Sequence, residues 1–198
     1  MNIVIFGAPG SGKGTQSELI IENHGLHHVS TGDVLRDEIA KQSDLGKIAD
    51  GYISKGYLMP DELIINILDR LLDEKIMKKG IIFDGFPRTV NQAEALQKML
   101  NKYGQDVSVV IGLEVPEDEL ITRLVKRGRI SGRFDDNEDT IKQRIQIYHK
   151  NTEPLADYYK QAGIYYPIKG IGTIDDIFKQ IAGVLKSVSD KESGRQPA

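Results

Sequence analysis

The stretch Gly7–Lys13 near the N-terminus holds residues whose types and spacing suit the binding of a phosphate chain. Its letters GAPGSGK match the pattern G-x-x-x-x-G-K, and they stand between an apolar run and a helical period. The glycines allow a turn whose backbone N–H groups point inward, and Lys13 can reach the outer phosphates. An ordinary glycine-rich turn has no need for a lysine directly after its last glycine. The sequence therefore predicts a phosphate-binding loop.

The residue after this loop departs from the common pattern. Gly14 stands where most such loops carry the Ser or Thr that ligates Mg²⁺, and Thr15 comes one residue late. Because Mg²⁺ readily keeps several waters, we expect phosphates and waters to hold the metal here.

Several classes of protein carry such a loop, and other motifs discriminate among them. The guanine signature N-K-x-D of switch GTPases is not present, since Asn101-Lys102-Tyr103 is followed by Gly104. Motor ATPases usually end an apolar strand with Asp-Glu, whereas here Asp84 is followed by Gly85. An Asp without the Glu suits a site that must exclude water as the nucleophile.

Six arginines recur at positions that can face the same ligand. One follows the second apolar run, one follows the third, two lie four residues apart on one helical face, and two lie eleven apart, which is three helical turns. They are Arg36, Arg88, Arg123, Arg127, Arg133 and Arg144. Any single one could be a surface residue that pairs with a nearby acid. All six together suit two phosphate chains, since Mg-ATP with a nucleoside monophosphate carries roughly four net negative charges near pH 7.

The elements that must position these residues alternate between strands and helices. Short apolar runs predict buried strands at Asn2–Phe6, His27–Ser30, Ile81–Asp84, Val107–Val115 and Ile164–Ile168. Helical periods lie between them, and Pro154 should divide the one that starts near Glu138. This alternation predicts an α/β fold with a parallel sheet covered on both faces and a ligand outside the carboxyl ends of the strands.

Composition excludes several kinds of function. The chain has 198 residues, no cysteine and a net charge of −3, so disulfides, thiolate zinc sites and cysteine nucleophiles are ruled out. One domain is expected at this length. There is no basic excess for nucleic acid, and the first residues lack a basic n-region and run only five residues before a glycine, so we expect neither a signal peptide nor a membrane span. We expect a cytoplasmic protein.

Four motifs together resemble one known family over residues 1–188. They are GAPGSGKGTQ, STGDVLR, DGFPRT with Gln92 following, and RGRISGRFDDNEDTIKQR. The chain is similar to the adenylate kinases of the short-lid type, within the nucleoside monophosphate kinases. The resemblance implies a P-loop three-layer fold with a five-stranded parallel sheet. It divides the single domain into a core (1–29, 60–126, 138–188), an AMP-binding excursion (30–59) and a lid (127–137), and we expect a disordered tail at 189–198.

The resemblance also implies the reaction ATP + AMP ⇌ 2 ADP, which balances the adenine nucleotides. It implies a monomer whose partners are ATP, AMP and ADP, with Mg²⁺ bound to ATP. Longer lids in this family sometimes carry zinc on cysteines, and this lid has neither the length nor the ligands, so no zinc is expected. Since the acceptor phosphate of AMP is mostly ionised at pH 7, direct in-line transfer needs no protein base.

Site residues carry over position by position from the resemblance. The ATP-binding set is Gly10, Ser11, Gly12, Lys13, Gly14, Thr15, Arg123, Arg127 and Gly172. The AMP-binding set is Thr31, Arg36, Tyr57, Leu58, Met59, Gly85, Phe86, Pro87, Arg88, Gln92, Arg133 and Arg144. The catalytic set is Lys13, Arg88, Arg123, Arg127, Arg133 and Arg144. Asp84 would order waters on Mg²⁺, and the amide of Gln92 offers a donor and an acceptor for an adenine edge.

Some readings stay open on sequence alone. A pyrimidine monophosphate kinase tends to show Ala-Gly-Asp at Thr31-Gly32-Asp33 and Arg-Asn at Arg88-Thr89, and a non-catalytic nucleotide sensor would have lost arginines. Asp33 could act in the site or could instead have a structural role, in which it caps a helix or orders a loop. We expect Asp135 and Asp136 to pair with lid arginines or to lie in solvent. Since neighbouring strand residues point to opposite faces, a metal site shared by His27 and His28 is not expected.

Overall fold

A central parallel sheet organises the protein, and the computed structural model describes residues 1–193. The strands are β1 (Ile3–Gly7), β2 (His27–Ser30), β3 (Ile81–Asp84), β4 (Val109–Glu114) and β5 (Tyr165–Lys169). They form one five-stranded sheet in the order β2-β3-β1-β4-β5, and every neighbouring pair is parallel. The predicted α/β fold with a five-stranded parallel sheet is confirmed. Among the strands, the fourth is shorter at both ends than its apolar run suggested.

Ten α-helices accompany the sheet in the described part of the chain. They are α1 (Lys13–His24), α2 (Thr31–Ala40), α3 (Asp44–Ile53), α4 (Asp61–Leu71), α5 (Glu74–Lys79), α6 (Val90–Asn101), α7 (Glu117–Ser131), α8 (Glu138–Ile147), α9 (Leu155–Gln161) and α10 (Ile174–Ser193). None of the helices within residues 1–193 is long and apolar enough to cross a membrane.

The hydrophobic core lies on both faces of the sheet, as expected for a parallel sheet covered by crossover helices. One cluster packs alternate residues of β1, such as Val4 and Phe6, against α4, α6 and α9. The other packs Ile3 and Ile5 of the same strand against α1 and α10. Since alternate side chains of a strand point to opposite faces, the continuous apolar run of β1 serves both clusters.

The order of the strands fixes where a ligand can bind. From β1 the chain crosses to the β2 edge and returns through β3, and it then continues on the other side of β1 to β4 and β5. The direction of winding therefore reverses at β1, and a crevice opens there beyond the carboxyl ends of the strands. The loops after β1, β2 and β3 carry the motifs that sequence analysis selected.

Two segments stand apart from the alternating pattern. The proposed excursion 30–59 folds as the helix pair α2 and α3, which are capped by the hydroxyls of Ser30 and Ser43. In the proposed lid 127–137, α7 continues as far as Ser131 and ends at Gly132, whose φ is 63°. Arg133 lies in the turn that follows, outside α8, so the inference that Arg133 and Arg144 are separated by three turns of one helix is wrong. The boundaries of both segments stay proposals.

The C-terminal part of the fold corrects one expectation and supports another. The expected disorder of 189–198 is wrong for 189–193, since α10 continues through Ser193 and buries Ile181, Leu185 and Val188 along one face. Residues 194–198 lie outside the described part of the chain. The helical period from Glu138 is divided before Pro154 as expected, but α8 is first followed by a π-helical turn at Tyr148–Thr152.

We predict opposite effects for two alanine substitutions in α3. A Cβ at Gly46 would overlap the backbone carbonyl of Glu38 in α2, so Gly46→Ala must separate the two helices. Overpacking of this kind costs roughly 1 to 3 kcal/mol. A Cβ at Gly51 meets no atom within 4 Å, and Gly51→Ala should add about 0.5 to 1 kcal/mol from helix propensity. Urea unfolding of both variants measures the difference, and equal shifts would contradict this packing.

Candidate active site

The phosphate-binding loop joins β1 to α1 and has the backbone that its glycines permit. Gly10 and Gly12 have φ angles of 84° and 97°, which other residues rarely adopt. The ammonium of Lys13 donates hydrogen bonds to the carbonyl oxygens of Gly7 (2.8 Å) and Ala8 (3.0 Å). The lysine is therefore held against the loop, at the positive end of α1.

The surroundings of Lys13 lower the pKa of its ammonium group. Burial, together with the nearby charges of Arg88, Arg144 and Arg127, lowers the pKa of Lys13 to about 8, although Asp84 acts in the opposite direction. An anion at this position would relieve the repulsion among the cations. The loop is thus arranged for a ligand that carries negative charge.

A cleft of about 630 Å³ opens beyond the loop, and we call it the main cleft. All nine residues of the predicted ATP-binding set line it, including Gly172 from the loop before α10. The six arginines selected from the sequence also line it. The structure thus brings together residues from the loop, the excursion, the third strand's end and the lid.

Arg88 lies at the centre of this group. Its Nε donates to the carbonyl oxygen of Gly85 (2.7 Å), and the hydroxyl of Thr31 donates to the same oxygen (2.9 Å). Gly85 has φ 74°, and a Cβ there would lie 3.0 Å from the Arg88 guanidinium. Burial, followed by the charge of Arg144, lowers the pKa of Arg88 to about 10. Its remaining guanidinium donors are therefore preorganised for an anion.

Two aspartates, Asp135 and Asp136, bond to Arg127 and Arg144. Asp136 accepts a forked pair of hydrogen bonds from Arg127 (2.6 and 2.8 Å) and a third from Arg144 (2.8 Å). Asp135 accepts from Arg144 as well (2.9 Å). Burial alone would raise the pKa of Asp136, but the bonds from Arg127 outweigh it and the pKa is lowered. The expectation of pairing with a lid arginine is confirmed for Asp136, which bonds to Arg127, whereas Asp135 pairs with Arg144 outside the lid.

Asp33 also serves as a partner for arginines. Its carboxylate accepts a hydrogen bond from Arg36, and Arg133 lies 3.7 Å away. Burial opposes ionisation, but the bond from Arg36 leaves the pKa of Asp33 lowered. Of the two roles considered, ordering of the excursion fits these contacts. The N-cap of α2 is Ser30, which accepts from the backbone N–H of Asp33.

A second recess branches from the main cleft between the excursion and α6, and we call it the side recess. Its lining combines apolar side chains, the amide of Gln92 and three arginines. These residues are Leu35, Ile53, Met59, Ile64, Gln92, Arg36, Arg88 and Arg144. Apolar side chains, one carboxamide and three guanidinium groups in one recess suit a nucleoside monophosphate.

Most residues of the predicted AMP-binding set line the side recess, but three do not. Arg133 lines the main cleft instead, and Pro87 lines a smaller recess beside Lys13. The side chain of Phe86 is 1 % exposed and packs in the core, so only its backbone is available to a ligand in the recess. Tyr57, Leu58 and Met59, at the end of the excursion, line the side recess, in agreement with what the resemblance implies.

Asp84 ends β3 and faces the phosphate loop across the main cleft. A Cβ at Gly14 would lie 3.9 Å from its carboxylate, and His28 Nε2 lies at the same distance on its other side. Within residues 1–193 no group of three or more His, Cys, Asp or Glu side chains could hold a metal. A single carboxylate beside a phosphate loop fits a cation that takes most of its ligands from phosphates and waters.

Comparison with known proteins agrees with this geometry. The family model described as Adenylate kinase matches residues 5–164. The chain belongs to the adenylate kinase family. It is 61 % identical over 188 residues to the adenylate kinase of Phocaeicola vulgatus, covering 95 % of this chain and 100 % of the relative. It is 62 % identical to that of Bacteroides thetaiotaomicron over 181 residues (91 % and 96 %), and 49 % identical to that of Porphyromonas gingivalis over 185 residues (93 % and 95 %).

One residue of this adenylate kinase site was missed by sequence analysis. Asp61, the first residue of α4, accepts a hydrogen bond from the amide nitrogen of Gln92 (2.7 Å), 31 positions away. Its signal in the sequence, an acid after Pro60 at the start of a helical period, is typical of any helix N-terminus. Nothing in the sequence pattern connects it to Gln92.

We predict that affinity for ATP falls as pH rises above about 8. The pKa of Lys13 is lowered to about 8, so its side chain is charged below that pH and neutral above it. Its attraction for phosphate is therefore lost as the pH rises through about 8. Calorimetric titration with ATP between pH 7 and 9.5 should show affinity declining up to about tenfold per pH unit at the alkaline end. Lys13→Ala should bind weakly with a flat profile, and an equally steep decline in that variant would contradict the assignment.

Proposed function

We propose that the protein transfers the terminal phosphoryl group of ATP to AMP and so interconverts ATP plus AMP with two ADP. The observation that carries this proposal is that the main cleft and the side recess share Arg36, Arg88 and Arg144. A nucleotide in each would bring its phosphates to the same guanidinium groups. The family membership supports the same reaction.

Catalysis by these residues would rest on alignment and charge. A phosphoryl group in transfer needs its attacking and leaving oxygens in line and its equatorial oxygens stabilised. Lys13 and Arg123 approach from the ATP side and Arg88 and Arg144 from the AMP side, with Arg127 and Arg133 supplied by the lid segment. Since the AMP phosphate is already mostly ionised at neutral pH, no side chain has to remove a proton.

Magnesium is part of the proposal. The cation, bound together with ATP, would supply positive charge that offsets the charge of the phosphates. Asp84 would orient waters on the cation, and the gap left by Gly14 gives those waters room. We also propose a monomer, because one chain supplies both recesses, and a cytoplasmic location, which suits a chain without cysteine.

The substrate assay provides the direct test. With Mg-ATP as donor, we expect AMP to exceed UMP, CMP and GMP in kcat/KM by at least about tenfold, since a mispaired polar edge costs on the order of 1 to 3 kcal/mol. Coupled detection of ADP formation measures all four acceptors. Equal or better turnover of UMP or CMP would identify a pyrimidine kinase instead.

Replacement of Arg88 tests the catalytic assignment. Arg88→Ala should raise the transfer barrier by about 3 to 4 kcal/mol, because a preorganised charge-stabilising donor is lost. His27→Ala and His149→Ala are the controls, and each should stay within a few fold of the unsubstituted protein. Steady-state kcat measures the effect. A comparable loss in a histidine variant that folds normally would indicate acid–base catalysis or a phosphohistidine intermediate.

A further inference from the structure

A hydrogen-bonded network holds Gln92, which lines the side recess. Gln92 is 2 % exposed, and its amide nitrogen donates to Asp61 Oδ1 at 2.7 Å while its amide oxygen accepts from the backbone N–H of Arg88 at 2.8 Å. The other carboxylate oxygen, Asp61 Oδ2, accepts from the hydroxyl of Thr89 at 2.8 Å. Asp61 does not line the recess itself, whereas Gln92 does.

These partners determine which way the Gln92 amide points. A carboxylate oxygen only accepts and a backbone N–H only donates, so Asp61 requires the amide nitrogen on its side and Arg88 requires the amide oxygen. Rotation of the amide by 180° would place oxygen against carboxylate and N–H against N–H. Two favourable contacts would become two repulsive ones in a buried site.

The fixed amide keeps one donor and one acceptor free. Each carboxamide has two N–H donors and two acceptor sites on oxygen, and the network uses one of each. The second N–H and the second acceptor site therefore remain for a ligand in the recess. The free N–H of Gln92 can donate to an acceptor at a ring nitrogen of a base. Its free acceptor site can accept from a donor on the neighbouring exocyclic group of the same base.

We propose that Asp61 is a positioning residue that makes the site select a 6-aminopurine over a 6-oxopurine. The inference rests on the proposed function, in which AMP occupies the side recess. Adenine offers N1 as acceptor and its 6-amino group as donor, which matches the fixed amide. Hypoxanthine and guanine offer N1–H as donor and O6 as acceptor. They would match the Gln92 amide only after its 180° rotation, which the contacts with Asp61 and Arg88 disfavour.

The matched variants are Asp61→Leu and Asp61→Asn. Leucine has similar bulk but no acceptor, so the amide can rotate at a smaller cost. Asparagine can still accept from Gln92 through its oxygen, and its nitrogen can donate to the Thr89 hydroxyl, which is able to accept. Asp69→Leu removes an exposed acid from the same helix, where it pairs with Lys102, and serves as the control.

The measurement compares kcat/KM for AMP and IMP with Mg-ATP as donor. We expect Asp61→Leu to lower the AMP/IMP ratio by at least about tenfold, as loss of one well-placed hydrogen-bonding group does. The change should lie in KM for AMP and IMP, with KM for ATP altered by less than about threefold. Asp61→Asn and Asp69→Leu should keep the ratio within about threefold of the unsubstituted protein.

Two outcomes separate this inference from the proposed function. An unsubstituted protein that does not prefer AMP over IMP would contradict recognition of adenine in the side recess. A clear preference that persists in a folded Asp61→Leu protein would overturn the role of Asp61 alone.

If the leucine variant does not fold, as judged by thermal unfolding, the smaller Asp61→Ala makes the same comparison. Equal losses in the alanine and asparagine variants would indicate a general defect and also overturn the inference.

Discussion

The concentration of positive charge at one edge of the sheet is the constraint on which the rest of the structure depends. Lys13 and six arginines line one cleft, and their mutual repulsion contributes, after burial, to the lowered pKa values of Lys13, Arg88 and Arg144. Such a group is stable only if other parts of the fold compensate for it. Two features do so: carboxylates placed among the cations, and backbone carbonyls that accept hydrogen bonds from Lys13 and Arg88.

The topology of the sheet explains how residues so far apart in sequence form this group. Parallel strands end at one edge, so the loops after β1, β2 and β3 deliver Lys13, the start of α2 with Arg36, and Arg88 to the same place. The other arginines arrive on α7, α8 and the turn between them. The rigid core supplies the phosphate loop and Arg88, whereas the excursion and the lid segment supply side chains from outside the sheet.

The parts of this arrangement that consist of residues adjacent in sequence could be predicted from the sequence alone. The phosphate loop is a contiguous pattern, and the five strands are short apolar runs whose type was predicted correctly, with ends shifted by one or two residues. The errors concern properties that a pattern does not encode. Arg133 lies in a turn although its spacing suited a helix. Residues 189–193 are polar but continue α10, because the helix is already anchored by Ile181, Leu185 and Val188. The bond between Asp61 and Gln92 depends on the packing of α4 against α6, which no local signal reveals.

The lid segment illustrates how short-range ion pairs can replace a hydrophobic core. Asp136 bonds to Arg127 on α7 and Arg144 on α8, so one carboxylate joins the two helices that flank the turn. Around that turn the large apolar side chains of Ile130 and Phe134 are 75 % and 43 % exposed, so burial contributes little to holding it. Arg144 also lines both recesses. Because a phosphate can compete with a carboxylate for the same guanidinium fork, the contacts that hold the lid segment are the contacts that the substrates would use. The position of the lid segment is therefore set by the same charges that, under the proposed function, would bind the nucleotides.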